Sequence, residues 1–173
     1  MEDRDIYEYL YRLLCSKGYR IVCVGSELRE DDRAGLIICR RLAGMGYNVV
    51  ECPFGLESCV DKIVNEKIKK MLLIDAVVAE NTSPGEIVLS SIDDVVENYL
   101  VTTHSIPVSL MIKYLQTLGL CREVCILGIR VKSIGFGEEV SREVARAIDY
   151  LVDTIDKVLR ECRKEEAGYN GGT

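Results

Sequence analysis

The chain has 173 residues, enough for one domain with a buried core, and its 48% apolar and 29% charged residues are those of an ordinary globular protein. A formal charge of −6 lacks the basic footprint that nucleic acid requires, and no apolar run approaches the roughly 20 residues of a membrane span, so neither nucleic-acid binding nor membrane insertion is expected. The opening MEDRDIYEYL has no basic segment ahead of an apolar one, so no secretory signal is expected and the cytoplasm is the expected compartment.

Along the chain, residues 3–17 predict an amphipathic helix, with Ile6, Leu10, Leu13 and Leu14 on one face and Gly18 at its end. Residues 20–24 read as a buried strand that runs into Gly25. A helix is expected over 32–45, with Asp31 as its N-cap and Gly46 just past its end. YNVVEC is a second strand, and Leu56 to Glu66 has helical spacing. MLLIDAVV reads as a central strand, because it shows no polar alternation until Asp75. The turn NTSPGE leads into a short strand, EIVLS, and a brief helix is expected over 92–99. Pro107 suits the first turn of a helix that runs to Thr117 and stops at Gly119, and EVCILGIR is the last strand. The final helix keeps Val140, Val144, Ala147, Ile148, Leu151, Ile155, Val158 and Leu159 on one face, and the tail from Arg163 is expected to fray.

Strands alternating with helices predict an α/β fold, a three-layer sandwich around a mainly parallel sheet of about five strands. Residues 1–173 read as a single domain, with residues 1–18 as an added N-terminal helix. In such folds the site lies beyond the carboxyl ends of the strands. That rule selects the loop after Val24, the surroundings of Asp75, and loops that can reach them.

The eight cysteines, at 15, 23, 39, 52, 59, 121, 125 and 162, form no Cys-x-x-Cys pair, which excludes a cysteine-rich zinc site. Most stand in apolar runs and read as buried thiols. Disulfides would be unusual in a cytosolic chain, with hyperthermophile proteins the exception.

The loop VGSELREDDRAG places one glycine and four acids between a strand and a helix. Glu27, Glu30, Asp31 and Asp32 would repel a phosphate, and the Gly-x-Gly-x-x-Gly and Gly-Lys-Ser/Thr signatures are both missing, so the loop binds no nucleotide. Helix capping accounts for Asp31 and leaves Glu27 and Glu30 as solvated charges. Asp75 is a carboxylate inside an apolar strand, either held by backbone amides or part of a site. His104 is the single histidine, which rules out chemistry needing two imidazoles. A Ser-His-Asp arrangement with Ser26 or Ser105 is possible on composition, although no Gly-x-Ser-x-Gly elbow accompanies it. Two carboxylates and one imidazole could also form an open, three-ligand metal site.

The stretches VGSELREDDRAG, LLIDAV, NTSPGEI, TTHSIP and ILGIRVKSIGFG occur in one order across most of the chain. In that order they resemble the nickel–iron hydrogenase maturation endopeptidases, whose loop reads G-N-x-x-x-x-D-D-G-x-G and whose later motifs include Pro-Gly-Glu-Ile and T-T-H-x-x-P. The likeness is greatest to the branch that processes formate-hydrogenlyase-type and related membrane-bound hydrogenases. The resemblance implies a phosphorylase/hydrolase-like fold. It implies an enzyme that removes the C-terminal extension of a hydrogenase large-subunit precursor once nickel is in place. Nickel would come with the precursor, no organic cofactor would be needed, and the enzyme would be a monomer. Carried over by position, Asp32, Asp75 and His104 would contact the ion and carry catalysis, with Asp31 and Glu51 as candidate substrate-binding residues. Ser26 and Arg33 depart from the family's Asn and Gly, and Glu51 stands near where an Asp-Gly-Gly is common. The alternatives are a chaperone that inspects nickel loading without cutting, and an unrelated Ser-His hydrolase.

Overall fold

The computed structural model describes residues 3–16, 18–79, 81–91, 101–102 and 108–169. The strands are β1 (Arg20–Gly25), β2 (Val50–Pro53), β3 (Lys70–Val78), β4 (Ile87–Ser91), β5 (Val101–Thr102) and β6 (Glu123–Arg130). The helices are α1 (Asp3–Tyr11), α2 (Ala34–Gly44), α3 (Val60–Asn65), α4 (Val108–Thr117) and α5 (Arg142–Tyr169). The sheet order is β2-β1-β3-β6-β4. The first four of these run parallel, while β4 is antiparallel to β6. The two residues of β5 pair antiparallel with the end of β3.

Strand alternation divides the core into two layers. Ile21, Cys23, Leu72, Ile74, Leu127 and Ile129 face α1, α2 and α5. Val22, Val24, Met71, Leu73, Val124 and Ile126 face α3 and α4. A parallel strand covered on both sides has no polar face, which is why MLLIDAVV reads as a continuous apolar run. The expected three-layer α/β/α architecture is therefore the one observed.

Several boundaries differ from the periodicity. The first helix passes into a π turn at Arg12–Ser16. The helix expected from residue 32 begins as a 3-10 turn, Glu30–Arg33, and becomes α-helical at Ala34. The segment from Leu56 likewise starts as a 3-10 turn before α3. The last helix continues past Arg163 to Tyr169, so that part of the expected frayed tail is helical. The helix expected over 92–99, and Pro107, lie outside the described residues. Among the described residues, no helix is long and apolar enough to cross a membrane.

The N-terminal helix packs on α5 rather than lying on the sheet alone. Ile6, Leu10, Leu13 and Leu14 are buried with Leu151, Val152, Ile155 and Val158 in the same apolar layer. Ile6 also lines a groove beside Ile87 of the edge strand β4. Tyr7 and Tyr11 donate hydrogen bonds to Glu161 and to Glu165, the latter at 2.5 Å.

The expectation that most of the cysteines are buried thiols fails for four of the eight, which form disulfides. Cys15 and Cys162 are joined, with Cα atoms 5.1 Å apart, as are Cys52 and Cys59 at 5.2 Å. One pair spans 147 residues and the other seven, and neither has a spacing that marks a disulfide in the sequence. Cys23, Cys39, Cys121 and Cys125 remain free, the first three buried. The Cys15–Cys162 bridge closes 147 residues and ties the N-terminal segment to α5. Cys15→Ser with Cys162→Ser is expected to lower the unfolding free energy by about 2–4 kcal/mol, because the unfolded chain regains loop entropy. Denaturant titration against the oxidised wild type reads this directly. An unshifted midpoint would mean that apolar packing alone secures α1.

Candidate active site

The site is built where β1 ends beside the middle of β3. The ladder between them stops where Cys23 pairs with Ile74, and Asp75 is the next residue on β3. Across the sheet, Asp75 is level with Gly128 of β6. The chain leaves β1 at Gly25, forms a short loop, and returns through the 3-10 turn Glu30–Arg33. Gly35 sets how closely that turn can approach. A β-carbon there would stand 2.2 Å from the Val24 carbonyl oxygen and 2.9 Å from that of Ile74. Only a residue without a side chain lets the start of α2 sit directly over the end of β1 and the middle of β3. Gly25 fits equally tightly, with a β-carbon placed 2.5 Å from the Asp32 carbonyl oxygen. The Ser26 amide donates to that same oxygen at 3.2 Å.

Asp32 and Asp75 are both fully buried. The Asp75 Oδ1 accepts from the Ala76 amide at 2.8 Å. Two buried carboxylates on neighbouring elements are costly to desolvate, and such an arrangement is characteristic of a site built around charge. His104 and Ser105 lie outside the described residues. Among the described residues, no group of three or more His, Cys, Asp or Glu side chains could hold a metal. Asp32 and Asp75 supply hard oxygen donors that suit a divalent ion, and they would need a further ligand to hold it.

The remaining acids of the loop have other uses, and here the expectations need correction. Asp31 does not cap a helix: neither the 3-10 turn nor α2 carries a side-chain cap. Its buried carboxylate reaches across to the loop between β6 and α5. Oδ2 accepts from the Lys132 amide at 2.7 Å, the Ser133 amide at 3.0 Å and the Ser141 hydroxyl at 3.0 Å. Oδ1 accepts from the Ser141 amide at 2.7 Å. Glu30 is not a solvated charge either. It accepts from the Gly135 amide at 3.0 Å and from the Ser133 hydroxyl. Backbone bonds complete the seam, from the Glu30 amide to the Gly137 carbonyl at 2.9 Å and from the Gly137 amide to the Leu28 carbonyl at 3.0 Å.

Glu27 is held by Arg40, and it also lies 3.6 Å from Arg33. The Arg40 guanidinium keeps the Glu27 carboxyl below the ordinary carboxylate range. Arg40 also donates from Nε to Glu51 at 3.0 Å. Glu51 therefore stands beside the β1 end, level with Cys23, as half of an ion-pair cluster. Arg33, which replaces a small residue of the resembled motif, donates to the Glu138 carbonyl at 2.6 Å and so adds another tie to the β6–α5 loop. The partnership of the two loops was missed in the sequence. The only trace of it there is the pair of glycines around Phe136, where β-carbons would approach Glu30 at 3.1 and 3.2 Å.

A family model described as HycI, hydrogenase maturation protease, matches residues 49–158. That range includes Asp75 and leaves out Asp32 with the whole acidic loop. The chain is 26% identical over 140 residues to the hydrogenase 3 maturation protease of Escherichia coli K12, covering 79% of this chain and 87% of the relative. Among solved structures, the nickel–iron hydrogenase maturation protease HybD of Thermococcus kodakarensis superposes with a TM-score of 0.65 at 28% identity, over 80% of this chain and 98% of that one. HycI of the same organism gives 0.73 at 23% identity, over 88% and 99%, a likeness of fold.

Proposed function

Because this chain belongs to the hydrogenase maturation protease family, we propose that it removes the C-terminal extension of a nickel–iron hydrogenase large-subunit precursor after nickel insertion. The observation that carries this reading is the placement of Asp32 and Asp75, two fully buried carboxylates on neighbouring elements, one in the turn that follows β1 and one within β3. The ion is part of the substrate. Nickel already held by the precursor would meet Asp32 and Asp75, with His104 as the third contact, and so anchor the peptide to be cut. A metal held in this way can polarise a carbonyl or activate water. Asp31 supports the loop beside Asp32, and Arg40 leaves Glu51 little freedom to act as an independent acid. We further propose that the enzyme works as a monomer in the cytoplasm, where two disulfides match the pattern of hyperthermophile proteins.

The decisive experiment incubates the purified protein with nickel-loaded and nickel-free precursor and weighs the C-terminus by mass spectrometry. Trimming of the loaded form alone is expected. Equal trimming of both would remove nickel recognition from the reading. Binding of the loaded form without trimming would instead identify an inspecting chaperone.

A further inference from the structure

Three large apolar side chains stand exposed on the loops that follow the parallel strands. Leu28 follows β1 and is 46% exposed, Phe54 follows β2 and is 65% exposed, and Phe136 follows β6 and is 86% exposed. Backbone bonds bring their segments together. The Phe54 amide donates to the Gly25 carbonyl at 2.8 Å, and the Gly137 amide donates to the Leu28 carbonyl. All three therefore belong to the end of the sheet that carries Asp32 and Asp75.

Neither aromatic is on a slack loop. Phe136 sits between Gly135 and Gly137, whose amides are both tied to the acid loop. The Glu30 side chain packs against both of these glycines, so that β-carbons there would approach it at 3.1 and 3.2 Å. Phe54 has a φ of 74°, an uncommon conformation for a bulky residue. Its short loop is closed by the Cys52–Cys59 bridge. Strained backbone and rigidly displayed aromatics are features of binding sites, since a preorganised anchor loses little entropy when it is covered. Among the charges nearby, Glu27 and Glu51 are matched by Arg40, and Glu30 and Asp31 by the β6–α5 loop. What this rim offers to a partner is apolar surface.

We propose that Leu28, Phe54 and Phe136 form a docking rim that seats an apolar, extended stretch of the precursor polypeptide. The inference rests on the proposed function, because the rim stands on the loops at the same end of the sheet as Asp32 and Asp75, where the precursor would be held.

The test uses Phe136→Ser and Phe54→Asn, the latter chosen because Asn tolerates positive φ. On nickel-loaded precursor each variant is expected to raise KM about tenfold with kcat changed by less than about twofold, the signature of lost uniform binding. Unchanged KM in both variants overturns the rim. Calorimetric binding of the intact precursor provides the second measurement, with affinity expected to fall about tenfold. Should the wild type fail to cut, the functional reading falls, and this binding comparison still decides the rim: equal affinities overturn it. Sedimentation gives the remaining arm. A wild-type dimer that both variants dissociate would assign the rim to self-association and overturn the proposal.

Discussion

Asp75→Asn and Asp32→Asn are each expected to reduce cleavage of nickel-loaded precursor by roughly a hundred- to a thousandfold, the scale on which charge-stabilising groups act in a desolvated site. Asparagine is nearly isosteric. At position 75 it keeps an oxygen for the Ala76 amide, which Asp75 now holds at 2.8 Å, while it removes the charge and turns the second oxygen into an amide donor. The change in unfolding free energy should therefore stay within about 1 kcal/mol, which separates a chemical role from a structural one. Single-turnover cleavage and thermal melting of the same samples provide both readouts. Full activity in either variant would detach that carboxylate from the reaction. A collapse in stability matching the loss of activity would show a carboxylate retained for the fold.

Asp31→Ala should give the opposite phenotype, although it alters the adjacent residue. It removes the acceptor for three backbone amides and one hydroxyl from loop residues 132–141. Hydrogen bonds to a charged group are worth about 1.5–3 kcal/mol each, and an opened loop regains part of that from water. A net cost of about 3–5 kcal/mol is expected, in the range for breaking a buried charged network. Asp31→Asn should recover part of it. Its oxygen can replace Oδ2, but its amide would then face the Ser141 amide, donor against donor. Hydrogen exchange would locate the damage, with lost protection at Lys132, Ser133 and Ser141. Wild-type protection there would contradict the clamp. Cleavage by Asp31→Ala should fall only as far as the loop and Asp32 lose their positions.

The two neighbours illustrate how a single acidic stretch is divided among tasks. Glu27 and Glu51 share Arg40, Glu30 and Asp31 organise the opposite loop, and Asp32 lies buried in the turn that follows β1. The negative charge of VGSELREDDRAG is largely used inside the protein.

By itself, the sequence determined the strands β1, β2, β3, β4 and β6, the helices between them and the parallel core, because these follow from apolar runs and from alternation along one segment. It also singled out Asp75, since a carboxylate inside a buried strand is costly wherever the strand lies, while Asp32 stood out only through the resemblance of its loop. The tertiary structure alone decided the purpose of Asp31, which binds residues 101 to 110 positions away, and the pairing of Cys15 with Cys162 across 147 residues. Periodicity reports the environment of a segment and caps report its nearest turn. A carboxylate that finds its amide donors, or a thiol its partner, on a distant loop leaves no local pattern, because the pairing exists only once the sheet has brought the two loops to one end.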